Sequence, residues 1–165
     1  MSRGFVKEDD QEETPIIPPR APLPASVTNY VTPERMEQLL AERTALERQR
    51  QLDKDMDEQQ RRRELAVIDG KFALLQERIA SARILQSKEQ NQDEIRFGAH
   101  VTLNMNKQQQ VFQIVGVDEA DVAQKKLAYT APMAVAITGK KVGETVAFKL
   151  GRENRTIKII KIHYT

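Results

Sequence analysis

The feature that most constrains the fold is a seam of apolar residues in the middle of the chain. Its members recur at intervals of 3, 4, 3, 4 and 3 residues: Leu65, Ile68, Phe72, Leu75, Ile79 and Ala82. This spacing is typical of the contact line of a coiled coil. A helix with such a seam requires a partner helix, because its apolar stripe would otherwise remain in water.

A thinner apolar stripe earlier in the chain supplies that partner. Its members are Met36, Leu39, Leu40 and Leu46. Thr32 and Pro33 favour a helix start in front of it, as an N-cap hydroxyl and a first-turn proline. Pairing Leu39 with Leu75 and Leu46 with Ile68 in antiparallel fashion keeps one register and places the turn near Asp57. We therefore predict an antiparallel helical hairpin, or coiled coil, over residues 32–88.

The predicted turn of the hairpin carries an acidic cluster between residues 53 and 58. Its members are Asp53, Asp55, Asp57 and Glu58. Crowded like charges at a turn repel each other, and carboxylate oxygens are ligands that Mg²⁺ prefers. Two hypotheses stay open from the residues alone: a solvated acidic turn, or a tip that lends carboxylates to a partner.

Three consecutive arginines, Arg61, Arg62 and Arg63, open the second helix beside these acids. Cations are unfavourable at the positive end of a helix dipole. They either pair with the neighbouring acids or contact a phosphate of a partner, such as an RNA 3′ segment. The arginines of the first helix are expected to be ordinary solvated charges: Arg35, Arg43, Arg48 and Arg50.

Residues 1–31 are predicted to form a proline-rich extension in front of the hairpin. Five prolines fall between Pro15 and Pro24, behind an acidic stretch, and such a segment favours extended conformations and buries little. We expect a segment that is dispensable for folding and that either lies along the body or is flexible. A ligand for a proline-reading module is the alternative.

The apolar period changes from helical to twofold after a polar connector at residues 87–94. Alternating runs predict strands near 101–105, 112–114, 146–150 and 156–164, the last with a slip at Ile159-Ile160. Residues 132–138 predict one short helix against the sheet. Residues 95–165 are therefore predicted to form a small α+β domain on an antiparallel sheet.

Composition excludes several functional classes. The chain of 165 residues has no cysteine, which excludes disulfides and thiol-based metal sites, and its net charge is only +2. No apolar run approaches the length of a membrane span, so we expect a cytoplasmic protein without a membrane partner. His100 and His163 lack metal-ligand spacing and are expected to be strand residues without a catalytic role.

Five segments of the second domain, in order, resemble the Gre family of bacterial transcript cleavage factors. They are R-F-G-A-H-V-T-L (96–103), Q-I-V-G-V-D-E-A-D (113–121), A-P-M-A-V-A-I-T-G-K (131–140), V-G-E-T-V (142–146) and I-K-I-I-K-I-H-Y (157–164). The resemblance implies an FKBP-like second domain that docks on bacterial RNA polymerase. It also implies that the coiled coil enters the secondary channel of the polymerase and stimulates cleavage of the backtracked RNA 3′ end.

The tip is similar to the family pattern D-L-x-E-N, since Asp55-Met56-Asp57-Glu58-Gln59 reads D-M-x-E-Q. The resemblance implies that Asp55 and Glu58 share a Mg²⁺ with the polymerase active site, in the complex only, while the polymerase performs the cleavage. Asp53 and Asp57 are possible substitutes. The implied contacts to the polymerase are Thr130, Pro132 and Met133.

The hairpin departs from the family in length. It is shorter than the usual Gre hairpin by roughly fifteen residues, which removes about 11 Å of reach. Two alternatives therefore stand beside a cleavage factor. One is a regulator of the Gre fold that occupies the channel without promoting cleavage, and the other is a coiled-coil adaptor for a different protein.

Overall fold

The chain folds into a two-helix arm joined to a five-stranded sheet, and the computed structural model describes residues 13–51, 55–87 and 91–165. The elements run in the order β1 (Tyr30–Val31), α1 (Pro33–Gln49), α2 (Glu58–Ser81), β2 (Arg83–Ile84), β3 (His100–Met105), β4 (Gln108–Val115), β5 (Lys126–Ala128), α3 (Pro132–Ile137), β6 (Thr145–Leu150) and β7 (Glu153–His163).

The arm is the predicted helical hairpin. Leu39 and Leu46 of α1 pack with Ile68 and Leu75 of α2 in one buried cluster, as the antiparallel register predicted. Helix α1 ends at Gln49 and α2 begins at Glu58, so the predicted turn position, Asp57, directly precedes the second helix. Asp57 is the N-cap of α2, and its carboxylate accepts a hydrogen bond from Gln60 N.

The base of the arm is closed by a pairing that the sequence did not indicate. Strands β1 and β2 lie parallel, with Tyr30 opposite Arg83 and Val31 opposite Ile84. Val31 is fully buried. The last residues of the predicted extension therefore belong to the folded body.

The sheet has the strand order β5-β4-β3-β7-β6. Neighbouring strands are antiparallel except β4 and β5, which are parallel, so the sheet is mixed rather than purely antiparallel. Asn106 and Lys107 both have positive φ, as a tight β3–β4 hairpin turn requires. The slip predicted at Ile159-Ile160 appears as a shift in register between β3 and β7.

The domain core lies on one face of this sheet, where α3 packs against it. Alternate residues of β3, β4 and β7 point into this core because successive side chains of a strand face opposite sides. Its fully buried members include Val101, Leu103, Ile137, Ile157 and Ile159. The predicted α+β class and the single short helix over the sheet are confirmed.

Candidate functional site at the two ends of the arm

The tip of the arm presents the predicted acids to solvent. Asp55 and Glu58 are both exposed, Asp55 in the turn and Glu58 in the first turn of α2. Asp57, also exposed, serves as the cap of α2, with 3.3 Å between Gln60 N and Asp57 Oδ2. Asp53 lies outside the described residues. One of the predicted acids thus has a structural use at the start of a helix.

Arg61, Arg62 and Arg63 follow in the first two turns of α2 and are exposed. The neighbouring Gln60 Nε2 donates to Glu64 Oε1 over 3.1 Å. Arg50, at the end of α1 nearest the tip, was expected to be a solvated charge but makes two contacts with α2. Arg50 Nε lies 3.0 Å from Asp69 Oδ1, and its guanidinium lies over the ring of Phe72.

The acids at the tip do not form a complete metal site by themselves within the described residues. Among residues 13–51, 55–87 and 91–165, no group of three or more His, Asp or Glu side chains is arranged to hold a metal ion. Asp55 and Glu58 offer two carboxylates, and Mg²⁺ is commonly held by one or two protein carboxylates plus phosphate and water. The remaining ligands would have to come from a partner.

The base of the arm is held by a buried carboxylate, Asp118, in the loop after β4. Arg35 Nε of α1 donates to Asp118 Oδ2 over 2.8 Å, and Arg78 Nη1 of α2 donates to Asp118 Oδ1 over 2.6 Å. The Asp118 side chain is only 2% exposed. The expectation that Arg35 is a solvated helix charge is wrong, because the folded sheet domain brings this carboxylate to it.

Glu119 makes a second connection at the base. Its Oε2 accepts from the buried hydroxyl of Thr32, the N-cap of α1, over 2.7 Å. Lys126 Nζ lies 3.3 Å from the other oxygen of Glu119. Nearby, the backbone at Gly116 passes very close to β1. Only glycine fits there, since an added Cβ would lie 1.7 Å from the carbonyl oxygen of Tyr30.

Three aromatic rings fill the space beside these ion pairs. Tyr30, Phe97 and Tyr129 meet edge to face with centroids 5.5–6.1 Å apart. The Tyr129 hydroxyl donates to Thr28 O over 2.8 Å. Burial raises the pKa of Tyr129, and Tyr30 raises it further. The arm and the sheet domain thus share one interface of rings and paired charges.

The described part of the extension lies along the arm, which is one of the two alternatives that its composition left open. Ile17 lies against Gly70 of α2, where an added Cβ would be 2.1 Å from Ile17 Cδ1. Arg20 donates twice to the Glu42 carboxylate, at 2.7 and 3.1 Å, and this pairing raises the pKa of Arg20. Arg78 Nη2 donates to Ala21 O over 2.6 Å. We call residues 16–27 the strap.

The predicted polymerase contacts lie around the start of α3, away from the tip. Thr130 and Pro132 are exposed, and Pro132 occupies the first turn of α3. Met133 is partly buried against the domain core, so it supports the fold as well. Val135, one turn along, is 62% exposed and extends the apolar surface.

His100 and His163 are neighbours across β3 and β7, with ring centroids 6.2 Å apart. Burial lowers the pKa of His100, and the adjacent His163 lowers it further. The two histidines are strand residues, as predicted, although the sequence did not indicate that they meet.

No helix in the described part of the chain combines the length and the apolarity needed to cross a bilayer.

Comparison with known proteins extends the resemblance noted in the sequence. The family model described as "Transcription elongation factor, GreA/GreB, C-term" matches residues 89–164. This match covers the sheet domain and does not include the arm.

Two curated relatives illustrate the wider similarity. Transcription elongation factor GreA of Acidiphilium cryptum is 33% identical over 99 residues, 59% of this chain and 63% of the relative. GreA of Neorickettsia sennetsu is 30% identical over 115 residues, 68% of this chain and 72% of the relative. Against the first of these, the chain thus spans less than two thirds of the relative's length.

Solved structures of similar proteins include GreA factor homolog 1 (Gfh1) of Thermus thermophilus, at 22% identity and a TM-score of 0.39, with 83% of this chain and 99% of that chain covered. Another is a GreA/GreB factor of Nitrosomonas europaea, at 16% identity and a TM-score of 0.41, with 82% and 98% covered. TM-scores this low are not used to assign the family, and the assignment rests on the relatives found by sequence. The chain belongs to the GreA/GreB family of transcription elongation factors.

Proposed function

We propose that this protein binds bacterial RNA polymerase in its secondary channel and stimulates cleavage of the backtracked RNA 3′ end. In this role it is a cofactor of the polymerase and not itself an enzyme. The observation that carries the proposal is the position of two exposed carboxylates, Asp55 and Glu58, at the far end of an arm whose other end is fixed to the sheet domain. Family membership supports the same role.

The chemistry requires the two carboxylates to act together with groups of the polymerase. When bound there, a second Mg²⁺ would supply an activated water and stabilise charge in the in-line displacement. Asp55 and Glu58 would hold it, as Asp and Glu carboxylates commonly do. Arg61, Arg62 and Arg63 would hold the phosphates of the extruded RNA beside it.

Docking would be the task of the sheet domain. Thr130, Pro132 and Val135 form an exposed patch at the start of α3, and an apolar patch of this kind is suited to a protein contact. Because this patch is separate from the tip, binding and cleavage should respond to different substitutions.

One observation favours a second candidate function. Helix α1 has only 17 residues, which corresponds to about 26 Å. An arm of this length could occupy the channel and block substrate access without bringing Asp55 and Glu58 to the catalytic metal. The protein would then regulate the polymerase without promoting cleavage.

The test uses a backtracked elongation complex with labelled RNA, and the release of short 3′ fragments is the measured quantity. We expect the wild type to accelerate release and the double variant Asp55→Asn/Glu58→Gln to lose at least about tenfold of that acceleration, because neutral amides are poor ligands for Mg²⁺. Asp57→Asn is the matched control, since Asn also caps helices, and it should remain active.

Binding is measured separately, by competition with the wild type for the polymerase. Pro132→Asp should weaken binding at least tenfold, while the tip variant should bind normally. If the wild type binds but releases no fragment at any Mg²⁺ concentration, the channel-blocking function replaces cleavage. If it does not bind the polymerase, an adaptor for another protein becomes the better hypothesis.

A further inference from the structure

The five-stranded sheet has one face that the domain core does not use. Thr102 and Asn104 of β3 point to this outer face, opposite Lys161 and Lys158 of β7. Val111 and Gln109 of β4 flank them on the other side. The base of the arm covers one end of the face, where Val115 is fully buried, and the rest is open.

The charges carried by the strands on this outer face have a single sign, and the acid nearest to them, Glu34 of α1, lies at the end that the arm covers, close to His100. Lys149, Lys158 and Lys161 are exposed on β6 and β7, and His163 continues their row. The outward positions of β3, β4, β6 and β7 carry no Asp or Glu, although the chain contains 24 acidic residues. None of the three lysines forms an ion pair with a described residue. The open part of the face, whose outward positions carry lysines and no acid, concentrates positive potential and attracts anions.

The chemistry of the face fits nucleic acid better than an acidic protein. Protein interfaces are usually anchored by buried aromatic or large apolar side chains. On these four strands the outward positions carry no Phe, Tyr or Trp, and Val111 is the largest exposed aliphatic residue in the open part. Lysines together with Thr, Asn and Gln are the side chains that contact phosphate and sugar.

The same composition points to a duplex rather than a single strand. Proteins that bind single strands stack bases on a series of aromatic rings, whereas the outward positions here offer only the imidazoles of His100 and His163, which lie against each other at one end of the face. The strands of the face have 6 to 11 residues, so the face is about 20 Å or more long. Duplex DNA presents one charge per about 1.7 Å of axis, so several phosphates lie within that length.

We propose that the outer face of the sheet binds the phosphate backbone of duplex nucleic acid, without reading its sequence. Lys149, Lys158 and Lys161 neutralise phosphates, and Thr102, Asn104 and Gln109 donate hydrogen bonds to the backbone. This surface is separate from the tip and from the patch around Pro132, so it does not depend on cleavage activity.

The test measures binding of the full chain to a fluorescent mixed-sequence DNA duplex of about 20 base pairs, by anisotropy, across a series of low to moderate salt concentrations. The variant is Lys149→Gln/Lys158→Gln/Lys161→Gln. The matched control, Lys71→Gln/Lys140→Gln/Lys141→Gln, removes the same charge from α2 and from the loop after α3. Both variants should keep the wild-type melting temperature.

We expect the outer-face variant to weaken binding at least about tenfold at low salt and to reduce the slope of log K against log salt by about 2 to 3, since each phosphate contact contributes about 0.9. The control should change affinity by less than about threefold. Equal weakening in both variants would mean that only net charge matters and would overturn the proposal. Absence of duplex binding by the wild type at low salt would overturn it too. A third outcome would also overturn it: the wild type binds a polyglutamate peptide but not the duplex, and only the outer-face variant loses peptide binding. The face would then bind an acidic protein.

Discussion

The two ends of the arm use the same kinds of side chain in opposite ways. At the base, Asp118 is buried and accepts hydrogen bonds from two arginines on different helices. At the tip, Asp55 and Glu58 are exposed, beside arginines that are exposed as well. The sheet domain supplies the burial at the base, and no second layer of the described chain covers the tip.

The comparison teaches how to separate a structural acid from a candidate functional one. Removing one partner of a buried ion pair leaves an uncompensated charge, which strongly destabilises the fold. An exposed charge contributes little to stability, because water and salt screen it. Acids at the base should therefore affect stability, whereas Asp55 and Glu58 should affect activity alone.

The largest expected effect follows from Asp118→Asn. This change leaves Arg35 and Arg78 without their shared charge, and it should lower the free energy of unfolding by about 3 kcal/mol. Because the two arginine side chains are 21% and 11% exposed, water offsets part of the loss. Chemical denaturation followed by circular dichroism measures it.

The control for Asp118 is Asp69→Asn, which breaks the exposed pair with Arg50. We expect a loss below about 1 kcal/mol there. Equal losses of unfolding free energy in the two variants would show that burial of Asp118 does not strengthen its ion pairs. The distinction between the two ends of the arm would then fail.

A smaller effect on stability is expected from the contact between the strap and the middle of the arm, which lies between the buried base and the exposed tip. In a chain without residues 1–26, Gly70→Ala should stabilise the protein by about 1 kcal/mol, because Ala is the better helix former. In the full chain the added Cβ meets Ile17, so the same substitution should be neutral or destabilising. The four unfolding free energies form a double-mutant cycle.

Removal of residues 1–26 alone, which takes away the strap up to Ser26, should lower the free energy of unfolding by about 1 to 2 kcal/mol, through the lost Arg20–Glu42 pair and the uncovered apolar surface. This revises the sequence-based expectation that the extension is dispensable for folding. Gly70→Ala with the same effect in both chains would show that Ile17 does not rest on Gly70 in solution.

Periodic features of the fold could be predicted from the sequence, since local pattern determines them. Leu39 and Leu75 fixed the register of the hairpin, and the slip at Ile159-Ile160 was visible in the alternation. The domain interface could not be predicted in this way. Arg35 meets Asp118 across 83 positions of the chain, and the spacing around either residue does not indicate the pairing.

Some missed features did leave a signal. Gly70 interrupts an otherwise good helix, which is unfavourable unless something requires the space, and Ile17 occupies it. The acids Asp118 and Glu119 lie beside Gly116 in a segment that the family resemblance had already marked. The tip acids were predicted from their crowding, but only the structure distinguished Asp57, the helix cap, from its neighbours.

The smallest expected effect concerns stability at the tip, where Asp55→Asn/Glu58→Gln should leave the melting temperature within about 1 °C of the wild type. Both groups are exposed, so the contacts they make are screened by water, and relief of repulsion among neighbouring acids offsets the lost attraction of Glu58 to the start of α2. Asp57→Ala, between the two, should instead lower stability by about 1 kcal/mol, because it removes the cap. Differential scanning calorimetry of the three proteins makes the comparison within a span of four residues. A clear loss of stability in the double variant would place Asp55 and Glu58 in the same structural class as Asp118 and would remove the physical reason for assigning them to catalysis.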